Sequence, residues 1–285
     1  MGLNDNPVAV VTGASRGAGK GIALALGEAG ATVYVTGRTR TEGELPGTVF
    51  ATAQEITERG GTGVPVICDH SDDAQVEALF KQVERESGTL DILVNNAFTI
   101  PEGLARKGPF WEKPLALQSM FDVGMRSAYV ASYYAAPLLI DGGGGLVVNT
   151  SSFGGRCYMH GPAYGAGKAA VDKMAHDMAV DFKPYNVAAV SLWMGLLKTE
   201  RNRALFKGVP DRYRAFAAGA ESPEFSGRVI AALARHPERM RWTGRVLIGA
   251  ELGEELGVVD TDGRTPHSHR ATLGDPPTFS NVVVD

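Results

Sequence analysis

The chain has 285 residues, of which 44% are hydrophobic and 21% charged, with a formal net charge of −4. That length builds a substantial buried core, and the mildly acidic balance excludes a basic footprint for nucleic acid or anionic membrane, so neither is expected as a partner. The two cysteines, Cys68 and Cys157, make no disulfide framework, so a reducing, cytoplasmic setting is expected. The first residues lack a basic region followed by a long apolar run, and no apolar stretch approaches the roughly 18 residues of a membrane span. His267 and His269 form an H-x-H without a supporting Cys, His or acidic cluster, so no metal site is expected.

In chain order, short β-branched apolar runs alternate with helical patterns. "PVAVVTG" reads as a strand and "GKGIALALGEAG" as a helix closed by Gly30. "TVYVTG", "GVPVICD" and "LDILVNNA" are further strands, separated by the helices "TVFATAQEITERGG" and "DDAQVEALFKQVERESG". The early aspartates of the latter suit a helix N-terminus. A long helix is expected from about Leu117 to Leu139 with Gly124 inside it, then the strand "GLVVNTSS", the helix "PAYGAGKAAVDKMAHDMAVDFK", the strand "VAAVSLWMG" and a seventh strand in "GRVLIGA". Strands that are short and apolar along their whole length are buried on both faces. The alternation predicts an α/β fold: one doubly wound Rossmann-like domain over residues 1–285, with a mostly parallel seven-stranded sheet and helices on both faces. Three segments interrupt it: the Pro- and Gly-rich loop from Phe98 to Ala116, a substrate loop over about 196–223, and a Gly-, Asp- and Pro-rich tail over about 251–285. The first two follow strand carboxyl ends, where open α/β sheets bind ligands.

"VVTGASRGAGKGIA" joins the first strand to the first helix, with Gly13, Gly17 and Gly19 spaced G-x-x-x-G-x-G and with Ser15 and Arg16 inside the loop. Glycines allow backbone to approach a pyrophosphate, and the helix N-terminus supplies N–H donors and a positive dipole end. A Walker loop is excluded, because no Gly-Lys-Ser/Thr closes the motif. Many dinucleotide folds place an acid after the second strand for the ribose 2′-hydroxyl. Here Gly37 and Arg38 stand there instead. A guanidinium without a carboxylate favours a 2′-phosphate, hence NADP(H) over NAD(H), and Arg16 is near enough in sequence to serve the same phosphate. The alternative for both arginines is a solvated surface role.

Tyr164 and Lys168 lie one helical turn apart, so their heads share one helix face. A cation near a phenol favours the phenolate and suits proton transfer at a carbonyl or alcohol, although the same spacing also fits an ordinary amphipathic helix.

With the glycine loop, "NNA" at 95–97, the serine pair of "NTSSFGG" and Tyr164-x-x-x-Lys168, the chain resembles the short-chain dehydrogenase/reductase family, from about Pro7 to Gly249. "PFWEKP", "VGMRSAY", "SLWMGLLKTE" and "DTDGR" point to one subgroup within it. The resemblance implies that Tyr164 is the general acid/base and that Lys168 lowers its pKa and holds the nicotinamide ribose. Ser152 would orient the substrate oxygen, with Ser151 as the fallback. Asp69 would bind adenine, Asn95 and Ala97 would line the cofactor cleft, and Thr199 would contact the nicotinamide carboxamide or the pyrophosphate. For Asn95 a purely structural role between strands fits as well.

Two departures matter. The family asparagine of the long helix, which helps to hold a relay water near the lysine, is matched by Gly124, and the Pro-Gly after the sixth strand appears as Met194-Gly195. The expected activity is hydride transfer between NADP(H) and a small-molecule carbonyl or secondary alcohol, with aromatic residues such as Phe98, Phe110, Trp111 and Phe153 near the cleft. The rival from another class is an NADP(H)-binding sensor without turnover. Relatives pair two helices, so a homodimer or homotetramer is implied.

Overall fold

The computed structural model of the protein describes residues 6–206 and 217–284. Seven strands form one sheet: β1 (Val8–Val11), β2 (Thr32–Gly37), β3 (Thr62–Ile67), β4 (Ile92–Asn95), β5 (Gly145–Ser151), β6 (Val187–Trp193) and β7 (Val246–Ile248). Their order is β3-β2-β1-β4-β5-β6-β7. Every adjacent pair is parallel, which sharpens the expected "mostly parallel" to wholly parallel. β1, β4, β5 and β6 are buried at every residue, the consequence of helices on both faces.

One face carries α1 (Gly17–Glu28), α2 (Val49–Glu58) and α8 (Pro223–Arg235), whose Ile22, Leu26, Ile56, Phe225 and Val229 pack on Val11, Val33 and Val190. The opposite face carries α3 (Asp73–Ser87), α5 (Ser127–Asp141) and α6 (Pro162–Phe182), through Val76, Leu79, Val83, Ala131, Leu138 and Phe182. Local signals set the helix ends. Asp72 accepts from the N–H groups of Ala74 and Gln75 at the start of α3, and Gly88 ends it in the left-handed region. Thr48 caps α2 by accepting from Ala51.

The order of strands reverses between β1 and β4. Chain leaving β1 runs outward to β2 and β3, and chain leaving β4 runs the other way. The crevice at their carboxyl ends is the ligand-binding position of such sheets. It receives the glycine loop from β1, Asn96 and Ala97 from β4, Ser152 from β5 and Met194-Gly195 from β6.

The expected continuous helix from Leu117 to Leu139 is a correction. A single α-turn, α4 (Ser119–Phe121), leads into a wide turn at Asp122–Arg126, and regular helix resumes only at Ser127. Val123 (φ −113°, ψ 94°) and Gly124 (φ 147°) are not helical. Position 124 needs a positive φ, which glycine adopts without steric cost. The Ser127 hydroxyl accepts from the Gly124 N–H at 3.1 Å, and the Thr99 N–H donates to the Val123 carbonyl at 3.0 Å. The break thus ties the start of α5 to the loop after β4.

Of the expected substrate loop, residues 207–216 lie outside the described residues. Its remainder forms α7 (Glu200–Phe206) and a parallel bridge between Leu197 and Glu221. The tail forms α9 (Gly249–Glu255) and α10 (Arg270–Leu273), and its Leu273 and Phe279 pack on Phe153, Trp193 and Ile248. It therefore braces the segment that follows β5. Among the described residues no helix is long and apolar enough to cross a membrane.

A Cβ at position 124 would sit 2.6 Å from the Phe98 ring. Gly124→Ala combines that overlap with an unfavourable φ. It should cost about 1–3 kcal/mol, read as a lowered midpoint in thermal unfolding.

Candidate active site

Consecutive residues of an extended strand face opposite sides, and this separates the two serines at the end of β5. Ser151 points into the protein, is fully buried, and donates to the Lys168 carbonyl at 3.3 Å. Ser152 points into the crevice, with its Oγ 2.9 Å from the Tyr164 hydroxyl. It also accepts from the Gly154 N–H at 3.2 Å, which fixes its rotamer. Gly154 leaves the space that the Tyr164 ring fills, since a Cβ there would overlap Cε1.

Burial raises the pKa of Tyr164 above its ordinary value, and the Ser152 hydrogen bond pulls it part of the way back. Lys168 lies one turn further along α6 and is buried. Its Nζ donates to the Thr150 carbonyl at 3.1 Å and stands 4.7 Å from the centroid of the Phe98 ring and 5.9 Å from that of Tyr164. Burial lowers its pKa to about 8, against the attraction of Asp172. The Tyr164 phenol is raised chiefly by its own burial.

Asp172 supplies the counter-charge one turn below Lys168. It is fully buried and accepts from the Ser191 hydroxyl at 2.5 Å and from Trp193 Nε1 at 3.0 and 3.1 Å. Burial raises its pKa to about 6, and its hydroxyl and indole donors oppose the rise.

The Phe98 ring packs on Gly124, meets Tyr164 edge-on with centroids 5.8 Å apart, and faces the lysine ammonium. At the position where the family places an asparagine, the chain thus offers an aromatic face to the lysine through a neighbouring loop.

The glycine loop is built for close approach. Gly13 lies against Ala97, where a Cβ would stand 2.7 Å from that residue's Cα, and Gly19 makes room for the Asn96 amide. Asn96 Nδ2 donates to the Thr12 carbonyl at 2.9 Å and the Gly13 carbonyl at 3.1 Å. Thr12 Oγ1 accepts from the N–H groups of Asn96 and Ala97, each at 2.8 Å. These bonds lock the ends of β1 and β4 together. Gly17, with φ +60°, opens α1. Its N–H donates to Glu200 Oε2 at 3.0 Å, and a Cβ at Gly17 would lie 3.8 Å from the Thr199 methyl.

The structure places the other expected cofactor residues as follows. Ser15 is buried beside Gly37. The Arg16 guanidinium donates to the carbonyls of Pro46 and Gly47 at 3.2 and 2.7 Å, so as placed it holds the loop before α2. Arg38 is open to solvent, its side chain 66% exposed, and lies 3.6 Å from Asp69. Asp69 also accepts from the Ser71 N–H and hydroxyl. Asn95 is a strut: its Nδ2 donates to Ser132 Oγ and to Asn149 Oδ1, both at 2.9 Å, inside the protein.

Besides Asp172 and Glu200, three residues escaped the sequence reading. His160 adopts φ +60°, stands edge-on to Tyr164 at 5.1 Å, and its carbonyl accepts from Lys113 Nζ at 2.9 Å. Burial, then the charge of Lys113, holds it below its ordinary pKa. His70 is buried with Nε2 2.7 Å from Thr36 Oγ1, and burial lowers its pKa to about 4. Glu221 is buried beneath Met194-Gly195 and accepts from the Gly195 N–H at 3.2 Å, and a Cβ at Gly195 would overlap its carboxylate. Only the left-handed backbone at "HGP" had a sequence signal, the glycine and proline that follow His160. A single acid in a loop gives none.

A surface cavity of about 620 Å³ is lined by Phe110, Arg156, Cys157, Tyr158, Met159 and residues 161, 162, 165 and 166 at the start of α6. Its lining is mostly apolar, with Arg156 as its charged member.

The sequence profile described as short chain dehydrogenase matches residues 7–209. The chain belongs to the short-chain dehydrogenase/reductase family, whose members are oxidoreductases that generally bind a nicotinamide cofactor. It is 43% identical over 272 residues to dehydrogenase/reductase SDR family member 1 of Mus musculus, covering 90% of this chain and 84% of that one. The Homo sapiens protein of the same name is 42% identical over 268 residues, with the same coverage. This is the subgroup indicated by the "PFWEKP" and "SLWMGLLKTE" segments. Among solved structures, a short-chain type dehydrogenase/reductase from Mycobacterium marinum superposes with a TM-score of 0.71 at 27% identity, covering 86% of this chain and 94% of that one.

Burial, with the nearby charge of Asp260, raises the pKa of Glu221 from its ordinary 4.5 to about 7. The folded state therefore holds this proton more tightly than the unfolded chain does, and stability is lost as pH rises from about 4.5 to about 7. Glu221→Gln keeps an acceptor for Gly195 and removes the buried charge. It should raise the thermal midpoint at pH 8 by several degrees and change it little at pH 4.5.

Proposed function

We propose that this protein is an NADP(H)-dependent oxidoreductase acting on a carbonyl or secondary alcohol of an apolar small molecule, with Tyr164 as general acid/base. The observation that carries the reading is the 2.9 Å contact between Ser152 Oγ and the Tyr164 hydroxyl, with Lys168 Nζ beside the same ring. A sensor without turnover has no use for that constellation.

The glycine cradle fits a dinucleotide, because the Gly17 N–H already holds an anionic oxygen, that of Glu200. When bound, the nicotinamide carries the hydride chemistry. Arg38 would take the 2′-phosphate. Its exposed guanidinium has only a loose partner in Asp69, and no carboxylate stands at the end of β2 to favour a bare ribose. Asp69 beside it would meet the adenine, Thr199 would meet the carboxamide or the pyrophosphate, and Asn95 and Ala97 would support the cleft from the end of β4.

In the reducing direction, Ser152 would orient the substrate oxygen and Tyr164 would donate its O–H proton to that oxygen. The phenol is protonated at neutral pH, as a proton donor must be, and the Ser152 hydrogen bond works against the rise that burial imposes. Lys168, held by Thr150, would stabilise the phenolate that remains and bind the nicotinamide ribose hydroxyls. In the oxidising direction the same atoms would act in reverse. The apolar lining beside the first turn of α6 supports an apolar substrate. Tyr129 and Tyr133 are exposed on one side of α5, which supports assembly into a homodimer or homotetramer. The two free cysteines suit a cytoplasmic setting.

NADPH oxidation measured against a panel of ketones and aldehydes tests the chemistry. Tyr164→Phe should lower kcat by at least about 100-fold with NADPH binding retained. Undiminished turnover in that variant would remove Tyr164 from the role. Binding titrations of NADPH and NADH test the cofactor choice. The wild-type protein should prefer NADPH, and Arg38→Ala should weaken NADPH binding by about tenfold or more while leaving NADH unchanged. An NADH preference untouched by the substitution would overturn it.

A further inference from the structure

The bond between Glu200 and Gly17 joins two segments 183 residues apart in sequence. Gly17 opens the 12-residue helix α1, and its N–H is one of the donors that a helix start leaves without an intrahelical partner. The residue before it, Arg16, makes no side-chain cap, and the first turn of α1 holds no acidic residue. The negative charge favoured at this helix end is supplied instead from α7, by the carboxylate of its first residue. Thr199 closes over the same glycine. The donor that a dinucleotide phosphate needs is thus in use by the protein's own carboxylate.

One N–H cannot serve both anions fully, and a carboxylate and a pyrophosphate at the same helix end repel each other. Arg16, the cation closest in sequence to this donor, is engaged with the carbonyls of Pro46 and Gly47. We infer that Glu200 is a built-in competitor of the cofactor: its carboxylate occupies the phosphate cradle in the free protein, the dinucleotide phosphate displaces it, and the exchange sets cofactor affinity and releases α7. This inference rests on the reading of the glycine loop as an NADP(H) cradle.

The consequence reaches the substrate side. α7 lies on the segment that leaves β6 through Met194 and Gly195, and Asn202 ties that segment back by donating from Nδ2 to the Leu197 carbonyl at 3.0 Å. Displacing the Glu200 carboxylate removes the hydrogen bond that joins α7 to α1, while the Asn202 bond still ties α7 to the segment after β6. Apparent affinity falls by the fraction of molecules in which the cradle is open. A charge-assisted bond at a partly buried site makes the open form the minor one.

The test uses the full chain with Glu200→Gln, which retains an acceptor without charge, and Glu200→Ala. NADPH titrations followed by fluorescence should show binding tightened by about 3- to 30-fold in both. Hydrogen exchange over residues 201–206 of α7, beyond the Thr199 that would meet the cofactor, gives the second readout. Added NADPH should accelerate exchange there in the wild type, and Glu200→Ala should exchange fast with or without NADPH. Equal NADPH affinity in wild type and variants, or weaker affinity in the variants, would overturn the competitor role while leaving the cofactor reading intact. Slowed exchange on NADPH addition would overturn the release of α7. Binding of NADPH to none of the three proteins would overturn the cofactor reading and this inference together.

Discussion

The buried ammonium of Lys168 is the constraint on which the rest of the site depends. A charge taken out of water must be matched by partners, or it is lost to deprotonation. Here the partners come from separate elements: the Thr150 carbonyl on β5, the Phe98 ring after β4, and the carboxylate of Asp172 one turn along the same helix. Asp172 is itself held by Ser191 and Trp193 on β6. The lysine therefore fixes the spacing of β4, β5, β6 and α6 at one point. Each partner has a support of its own. Phe98 sits where it does because Gly124 leaves space for its ring, and Gly124 is tolerated because the chain is not helical there.

At position 124, where the family resemblance leads to an expected asparagine, glycine leaves a gap, and the Phe98 ring that faces the lysine ammonium fills it. The attraction between a cation and an aromatic face is smaller than a full ion pair but needs no polar atom. The break in the helix also carries the loop from 98 to 114 toward the mouth of the cavity, where Phe110 lies beside Tyr158 and the first turn of α6. One local conformation thus serves both the lysine and the shape of the cleft.

The cofactor side is organised by a different principle, close approach of backbone. Thr12 and Asn96 stitch β1 to β4 at their carboxyl ends, and glycines 13 and 19 permit the contact. The strand reversal leaves the crevice open at this point, and the stitched loop gives it a rigid floor. Glu200 then brings the segment after β6 onto the same floor. Among the described residues the Glu200 carboxylate and the Thr199 methyl join the two sides of the crevice, and the tail behind Phe153 braces the reacting side from outside.

The sequence by itself determined the sheet, its helices and the ordered motifs, because these are written in local periodicity, in capping residues such as Asp72, and in glycine spacing. It also placed Ser152 ahead of Ser151, on the resemblance to the NTSSFGG pattern, and strand alternation turns the first hydroxyl inward and the second toward Tyr164. What tertiary structure alone decided are the contacts between distant segments. The helix break at Gly124 is one, since periodicity continues across it and only the Phe98 ring shows why the chain leaves the helix. The bonds that Asn95 and Arg16 make within the protein are others, because an amide or guanidinium gives no sign in sequence of which neighbouring segment it will meet. The buried carboxylate of Glu221 and the reach of Glu200 to Gly17 belong to the same class. Their chemistry is set by burial and by partners far along the chain, and neither leaves a trace in the residues beside them.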